Sequence, residues 1–272
     1  MLVTDNIIYF ELQKTASTFT RLVLAEMYAD NCTIIGKHNS LKKIPQDVLG
    51  DFSRKVKVGN IRNPWDWYVS LWSFGCKKRG GLRYRLINQE ELNFLGKKGI
   101  RQVLKRRLKL GYPKLDKEIW LSLYSDPYNY KNFNRWLELI LTVSKHDLGE
   151  GFKAKKMSEF SGLLTYRYLR LYTADHKFYR IGSYEELKSY DKKENFINEM
   201  IRKEALLEGL ERLAGRLDYQ QEKLIRIINQ IKSKPNASIR DKDYRKYYTD
   251  ESISMVEKYE KLIIDKYKYT FE

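Results

Sequence analysis

The chain has 272 residues, enough to bury a substantial core in one domain. Its 52 Lys and Arg outnumber its 35 Asp and Glu, a formal net charge of +17. This balance favours anionic partners such as nucleotides, sulfated glycans, nucleic acid or acidic membrane surfaces, without choosing among them. Cys32 and Cys76 form no CxxC pair and the three histidines are far apart in sequence, which excludes a recognisable zinc site or disulfide framework. We therefore expect no metal, a reduced cytoplasmic setting and no membrane span.

The first quarter of the chain predicts alternating strands and helices. Strands are expected at residues 7–12, 32–36 and 56–61, and helices at 19–28 and 65–74. A basic loop at 75–81 follows, and then an amphipathic basic helix at 100–110. The cations of that helix either bind an acidic acceptor or solvate a peripheral face.

The remainder predicts a largely helical half. We expect helix at 133–143, a Tyr-rich wall at 158–163 and 165–172, and a returning strand at 178–181. Residues 185–232 are expected to be mainly helical, with a core-facing Leu and Ile stripe; 233–245 form a basic loop and 251–267 the last helix. The pattern favours one α/β domain.

The passage from the first strand to the first helix has the composition of an anion cradle. An apolar run ends at Lys14, and small and hydroxyl residues lead directly into a helix. A helix N-terminus presents free backbone N–H groups and a positive dipole end, to which Lys14 adds a charge. No Gly lies between Leu12 and Thr20, so this is not a Walker A loop. A strand turning into a Ser- or Thr-capped helix remains the alternative.

A second element comes from Arg62 and Ser70. Arg62 follows an apolar strand, and Asn63 and Pro64 suit the N-cap and the first position of a helix. Arg62 therefore lies at the carboxyl end of a strand, where ligands bind in open α/β sheets. The tryptophans of this helix, Trp65, Trp67 and Trp72, are expected to pack in the core or a lid.

These segments resemble sulfotransferases that use 3′-phosphoadenosine 5′-phosphosulfate (PAPS). Lys14-Thr15-Ala16-Ser17-Thr18-Phe19 is similar to their PK[ST]G[ST]TW loop, and Arg62-Asn63-Pro64 with Ser70 to RNPxDxxxS. The stretches around Tyr184 (YED[LM]-like) and 243–249 (DWKNxFT-like) fit in the same order. Gln13 stands in place of the usual Pro, and Ala16 in place of the usual Gly.

The resemblance implies a P-loop-like parallel sheet flanked by helices, with residues 1–74 and 178–272 as cofactor-binding core and 75–177 as a helical acceptor-side region. It implies PAPS as co-substrate, PAP as product, and a small-molecule, lipid or carbohydrate acceptor, with no nucleic acid expected. The residues assigned to the cofactor are Lys14, Thr15, Ala16, Ser17, Thr18, Phe19, Arg62, Ser70, Tyr184 and Arg240, with Arg245 as a second choice for Arg240.

The same resemblance assigns the catalytic residues. Lys14 is expected to stabilise the leaving phosphate. Lys37-His38-Asn39-Ser40-Leu41 is similar to K[TC]HxxL, whose His is the base, and His38 has a suitable intrinsic pKa. Adjacent strand residues point to opposite faces, so Lys37 is left open. His146 and His176 are taken as ordinary residues.

Two other functions remain open. A P-loop-type nucleotide kinase would explain the strand-loop-helix, but the glycines and a magnesium carboxylate are missing. A non-enzymatic binder of polyanions or nucleic acid would explain the charge but not the order of the motifs.

Overall fold

The computed structural model describes residues 1–29, 31–87, 117–143, 148, 152, 156–175, 177–232 and 240–272. The helix expected at 100–110, most of the loop expected at 233–245, and His146 and His176 lie outside these residues.

A five-stranded mixed sheet forms the centre of an α/β fold. The strands are Leu2–Val3 (β1), Ile7–Phe10 (β2), Thr33–Ile34 (β3), Val56–Ile61 (β4) and Glu199–Arg202 (β5), in the order β3-β1-β2-β4-β5. β2, β4 and β5 are parallel, whereas β1 is antiparallel to β2 and β3. The carboxyl ends of the three parallel strands therefore lie at one edge of the sheet.

Helices flank the sheet. They span Ser17–Tyr28 (α1), Gln46–Leu49 (α2), Pro64–Cys76 (α3), Gly81–Ile87 (α4), Lys117–Leu123 (α5), Tyr130–Glu138 (α6), Leu163–Tyr172 (α7), Tyr184–Glu194 (α8), Leu206–Arg216 (α9), Gln221–Lys232 (α10), Asp250–Tyr259 (α11) and Lys261–Tyr267 (α12). A π-helical turn extends α6 over Leu139–Val143, and 3₁₀ turns cover Leu41–Lys43, Lys156–Glu159, Lys177–Arg180 and Tyr244–Tyr247.

The two faces of the sheet pack in separate cores. Ile7 and Tyr9 of β2 join a cluster with residues of α1, α9 and α10, while Ile8 and Phe10 join a larger cluster with α3, α6 and α7. Alternate residues of a strand point to opposite faces, which explains why a continuous apolar run serves both cores.

The structure confirms several predicted elements and corrects others. The strand at 56–61 is as predicted, and Trp65, Trp67 and Trp72 are buried in the core. The predicted strand at 178–181 is wrong, because Lys177–Arg180 form a 3₁₀ turn. The span 185–232 was expected to be mainly helical, but it contains strand β5. The predicted last helix is broken between α11 and α12 at Glu260, and the Leu and Ile stripe at 206–231 packs as expected except for Leu207, which is exposed.

Glu260 caps α7 from outside that helix. Its carboxylate accepts hydrogen bonds from Leu164 N at 3.0 Å, from Thr165 N at 2.8 Å and from Thr165 Oγ1 at 2.7 Å. The Tyr68 hydroxyl of α3 also donates to it. The N-cap residue of α7, Gly162, provides no side-chain cap. Glu260 therefore accepts from the second and third N–H groups of α7, while the first, that of Leu163, donates to the Tyr68 hydroxyl at 3.1 Å, which joins α7 to α3.

Candidate functional site

The turn between β2 and α1 is held in an unusual backbone conformation. Lys14 and Ala16 have φ values of 64° and 63°, in the left-handed region that glycine favours. Thr15 does not cap α1, since its hydroxyl donates to the Leu12 carbonyl at 2.8 Å. The N-cap residue is Ala16, with no side-chain cap. The alternative of a Ser- or Thr-capped helix therefore does not hold. No side chain of the described residues caps the first N–H groups of α1, which are of the kind that bind anions.

Arg62 reaches this turn from the neighbouring strand. It directly follows β4, and its Nη1 donates to the Lys14 carbonyl at 2.9 Å. Asn63 caps α3 by accepting from Trp65 N at 3.0 Å, and Pro64 occupies the first helical position. These local features fix the strand-to-helix turn that carries Arg62. The two segments that the sequence singled out therefore meet at one edge of the sheet.

Asp66, in the first turn of α3, is in contact with three cations. Arg62 Nε lies 2.8 Å from Asp66 Oδ2, and Arg240 Nη2 lies 2.5 Å from Oδ1. Lys203 Nζ lies 3.2 Å from Oδ2. Burial alone would raise the pKa of Asp66, but the attraction of these three cations outweighs it and lowers the pKa to about 2.

Lys203 is a site residue that the sequence reasoning missed. It directly follows β5, and its backbone N–H donates to the Ile61 carbonyl at 2.8 Å. Lys14, Arg62 and Lys203 thus follow the carboxyl ends of three neighbouring parallel strands. Strand β5 has four residues, and the first and last of them, Glu199 and Arg202, are charged. The strand pattern is therefore weak, and the only sequence feature that pointed to Lys203 was a cation directly after it.

The cluster carries more positive than negative charge. We call Asp66 and the three cations on it, Arg62, Lys203 and Arg240, the Asp66 cluster. With Lys14 on the adjoining turn, four cations stand against two carboxylates, Asp66 and the neighbouring Glu204. Glu204 accepts from Asn63 N at 2.8 Å and from the Tyr269 hydroxyl at 3.1 Å. The excess of two positive charges favours a dianion.

Arg240 has an unused donor. Its side chain is only 8% exposed, and Nη1 is buried without a hydrogen-bond partner among the described residues. A buried unpaired donor costs roughly 1–3 kcal/mol, more when it is charged. Nη1 of Arg240 is therefore the donor of this cluster with which an acceptor oxygen of a ligand would pair.

The ammonium group of Lys14 points toward the other end of α3. Its Nζ lies 3.7 Å from the centroid of the Phe74 ring. Burial, with the nearby cations Arg62, Lys77 and Arg240, lowers the pKa of Lys14 to about 8. At pH 7 the group is still mostly protonated, and an approaching anion would be strongly attracted to it.

His38 contacts the same segment three residues before Lys14. Its Nδ1 lies 2.8 Å from the Glu11 carbonyl oxygen. A carbonyl oxygen only accepts, so the neutral ring carries its proton on Nδ1 and leaves Nε2 with a lone pair. Burial lowers the pKa of His38, which keeps the ring neutral. The geometry is that of a base-competent imidazole.

The conformation around His38 corrects one premise. Strand β3 ends at Ile34, and Gly36 and His38 both have positive φ, 51° and 57°. Alternation of side chains along a strand therefore does not apply to Lys37 and His38. Lys37 is exposed.

The remaining residues of the anion cradle differ in burial. Ser17 is buried and Thr18 is exposed at the start of α1, and Ser70 is buried on α3. Phe19 packs against the core on the α1 side of the sheet. Any direct ligand contact through the Ser70 hydroxyl remains a prediction.

Tyr184 and Arg245 have other described partners. The Tyr184 hydroxyl donates to Asp265 Oδ2 at 2.6 Å on α12, and its ring packs on the core opposite to that of Phe19. No described contact brings Tyr184 to the Lys14 turn, so a shared adenine site with Phe19 stays a prediction. Arg245 is exposed and pairs with Asp243 at 2.7 Å, which favours Arg240 over Arg245 as the second arginine.

Trp67 of α3 is hydrogen-bonded to the turn between β2 and α1. Its indole Nε1 donates to the Gln13 carbonyl at 2.7 Å, and the Arg167 guanidinium of α7 lies 5.5 Å from its ring centroid. Arg167 is also close enough to His38 to lower its pKa.

No protein-family model, curated protein or solved structure matches this chain. Among the described residues, no helix is long and apolar enough to cross a membrane. The same residues contain no group of three or more His, Cys, Asp or Glu placed to hold a metal ion.

Proposed function

We propose that this protein is a PAPS-dependent sulfotransferase that moves a sulfuryl group to a hydroxyl or amine of an acceptor. The supporting observation is the convergence of Arg62 on the Lys14 turn, with Nη1 2.9 Å from the Lys14 carbonyl. The Lys14 turn would then bind one charged end of PAPS, and the cations around Asp66 would bind the other. The strand β2, the turn and helix α1 form the P-loop-like part of this arrangement.

The chemistry of the donor set fits the two charged ends of PAPS. The Asp66 cluster offers guanidinium and ammonium groups, with the free Nη1 of Arg240, to a 3′-phosphate. The Lys14 turn offers the uncapped N-terminus of α1 to a 5′-phosphosulfate. Thr15 bonds to Leu12, so the backbone of the turn and the hydroxyls of Ser17 and Thr18 are the better candidates for direct contact.

Lys14 would stabilise the charge that develops on the leaving phosphate. PAPS supplies the sulfuryl group and leaves as PAP, and sulfuryl transfer, like phosphoryl transfer, is promoted mainly by positioning and charge stabilisation. The pKa of Lys14, lowered to about 8, leaves it cationic at neutral pH. Its position over Phe74 partly desolvates the ammonium group and strengthens its interaction with an anion.

His38 would accept the proton that the acceptor loses. The bond from Nδ1 to the Glu11 carbonyl leaves Nε2 free to receive a proton, and Arg167 disfavours a charged ring before the acceptor arrives. His38 and Lys14 are attached to the same short segment, so base and leaving-group cation share one support. The acceptor is a small molecule, lipid or carbohydrate.

The test is a thermal unfolding series followed by transfer of labelled sulfate. PAP without magnesium should raise the unfolding temperature by roughly 5 °C at a hundredfold excess over Kd. PAPS with a panel of hydroxyl compounds should yield a labelled product. Stabilisation only by ATP with magnesium would indicate a kinase, and stabilisation only by RNA or DNA a nucleic-acid binder. Either result, with no response to PAP, contradicts the proposal.

A further inference from the structure

A strongly basic surface lies at the far end of α3. Residues 76–85 contain five cations and no acidic residue; the cations are Lys77, Lys78, Arg79, Arg83 and Arg85. We call these five residues the basic surface. They cover the end of α3, the turn after it and the first turns of α4.

The basic surface begins where the Lys14 ammonium lies. Lys14 Nζ contacts the Phe74 ring at 3.7 Å, and Lys77 is close enough to lower the pKa of Lys14. Gly80, with φ of 96°, packs on Phe74, since a Cβ there would lie 3.0 Å from Phe74 Cδ1. Asp66 and Phe74 are eight residues apart on α3, about 12 Å along the axis. The basic surface is therefore separate from the Asp66 cluster.

Compensation of the helix dipole does not account for the whole surface. A cation at the C-terminus of a helix interacts favourably with the negative end of the helix dipole, which suits Lys77, the C-cap residue of α3. Lys78 and Arg79, however, are exposed, and no acidic residue in the described part of the chain pairs with them. Arg83 Nε is buried, again without a partner among the described residues. These donors match a ligand that brings several acceptor oxygens.

We propose that the basic surface binds a sulfate acceptor that is itself an anion, a carboxylate- or sulfate-bearing oligosaccharide. This inference rests on the proposed function, because the donor nucleotide is assigned to Lys14 and the Asp66 cluster. The positive charge of Lys78, Arg79 and Arg83 then remains for the acceptor beside Lys14. Tyr84, 50% exposed between Arg83 and Arg85, presents an aromatic ring on which a sugar can stack.

The experiment measures binding of a matched pair of labelled sugars to the full chain saturated with PAP. The probes are fluorescein-labelled hexagalacturonate and its fully methyl-esterified form, which lacks the charges. Fluorescence anisotropy should show at least about tenfold tighter binding of the acid, with an affinity that falls as salt is added. The double variant Lys78→Gln, Arg79→Gln should weaken this binding roughly fivefold and leave PAP affinity unchanged.

Lys192→Gln, Lys193→Gln is the matched control, since it removes two exposed cations from the last turn of α8. It should change hexagalacturonate binding less than twofold. Equal binding of acid and ester, or equal loss in the two double variants, overturns the inference. So does binding of hexagalacturonate only when PAP is left out, which would place the sugar in the nucleotide site, or equally tight binding of hexaglutamate, which would assign the surface to acidic peptides. A titration with PAP alone tests the proposed function separately, because loss of PAP binding contradicts that function whereas normal PAP binding limits the failure to the acceptor surface.

Discussion

Substitution of Asp66 by Asn tests the charge cluster through protein stability. Burial opposes ionisation of Asp66, but Arg62, Arg240 and Lys203 lower its pKa from 3.8 to about 2. At 1.36 kcal/mol for each pKa unit, the ionised carboxylate stabilises the folded state by about 2 kcal/mol near neutral pH. Asn leaves three clustered cations without this counter-charge. We therefore expect a loss of about 2–4 kcal/mol in the free energy of unfolding.

The same substitution should change the acid limb of the stability curve. Because the folded pKa is lowered, the contribution of Asp66 is present above its unfolded pKa and is lost as the pH falls through about 2. Urea unfolding of wild type and Asp66→Asn between pH 7 and pH 2 should show that the difference between their free energies of unfolding decreases at low pH.

The control for this experiment is Asp51→Asn. Asp51 pairs with Arg54 at 3.0 Å, but both side chains are largely exposed and the pair is screened by solvent, so the change should leave the free energy of unfolding close to that of wild type. An unfolding free energy of Asp66→Asn within about 0.5 kcal/mol of wild type at pH 7 would refute the electrostatic account of the cluster.

Three further predictions concern catalysis and pH. His38→Ala should lower kcat by roughly a hundredfold or more while PAP affinity changes little; an unchanged kcat in a sulfate-transfer assay would exclude His38 as the base. PAP affinity of the free protein should fall as the pH rises through about 8, where Lys14 loses its proton, and Lys14→Met should bind PAP weakly with no such dependence; calorimetry across pH 6.5 to 9.5 measures both. Burial raises the pKa of Glu260 from 4.5 to about 7, so its contribution to stability is full below 4.5 and is lost as the pH rises through about 7, by about 3 kcal/mol. Glu260→Gln should flatten this part of the stability curve, and a curve as steep as that of wild type would contradict it.

Local patterns predicted the elements that carry the site. Apolar residues at 56–61, then Asn63 and Pro64, indicated β4 and the start of α3. Both patterns depend only on residues that are close in sequence. The Lys14 turn was placed correctly between β2 and α1. Its left-handed conformation at Ala16 was not expected, because the sequence lacks the glycine that usually signals it.

What was missed depends on contacts between distant residues. Lys203, which was not assigned to the site, approaches Asp66 across 137 positions. Arg240 was assigned to the site, but its pairing with Asp66 across 174 positions was not predicted. Neither pairing leaves a periodic signal. The strand β5 was assigned to helix because the short run Glu199–Arg202 lies beside helices with strong Leu and Ile stripes. The false strand at 178–181 shows the converse, since a run of four residues with three apolar or aromatic side chains is too short for its periodicity to distinguish a strand from a 3₁₀ turn.

The most direct test of whether Lys14 and Arg62 bind opposite ends of the nucleotide is calorimetry with PAP and with its two mononucleotide analogues, 5′-AMP and 3′-AMP. We expect wild type to bind PAP far more tightly than either 5′-AMP or 3′-AMP. Lys14→Met should weaken 5′-AMP and spare 3′-AMP, whereas Arg62→Lys, which keeps the charge but loses the fork of donors, should do the reverse. If both variants weaken both mononucleotides equally, or if PAP binds no better than its halves, Lys14 and Arg62 do not hold opposite ends of one ligand.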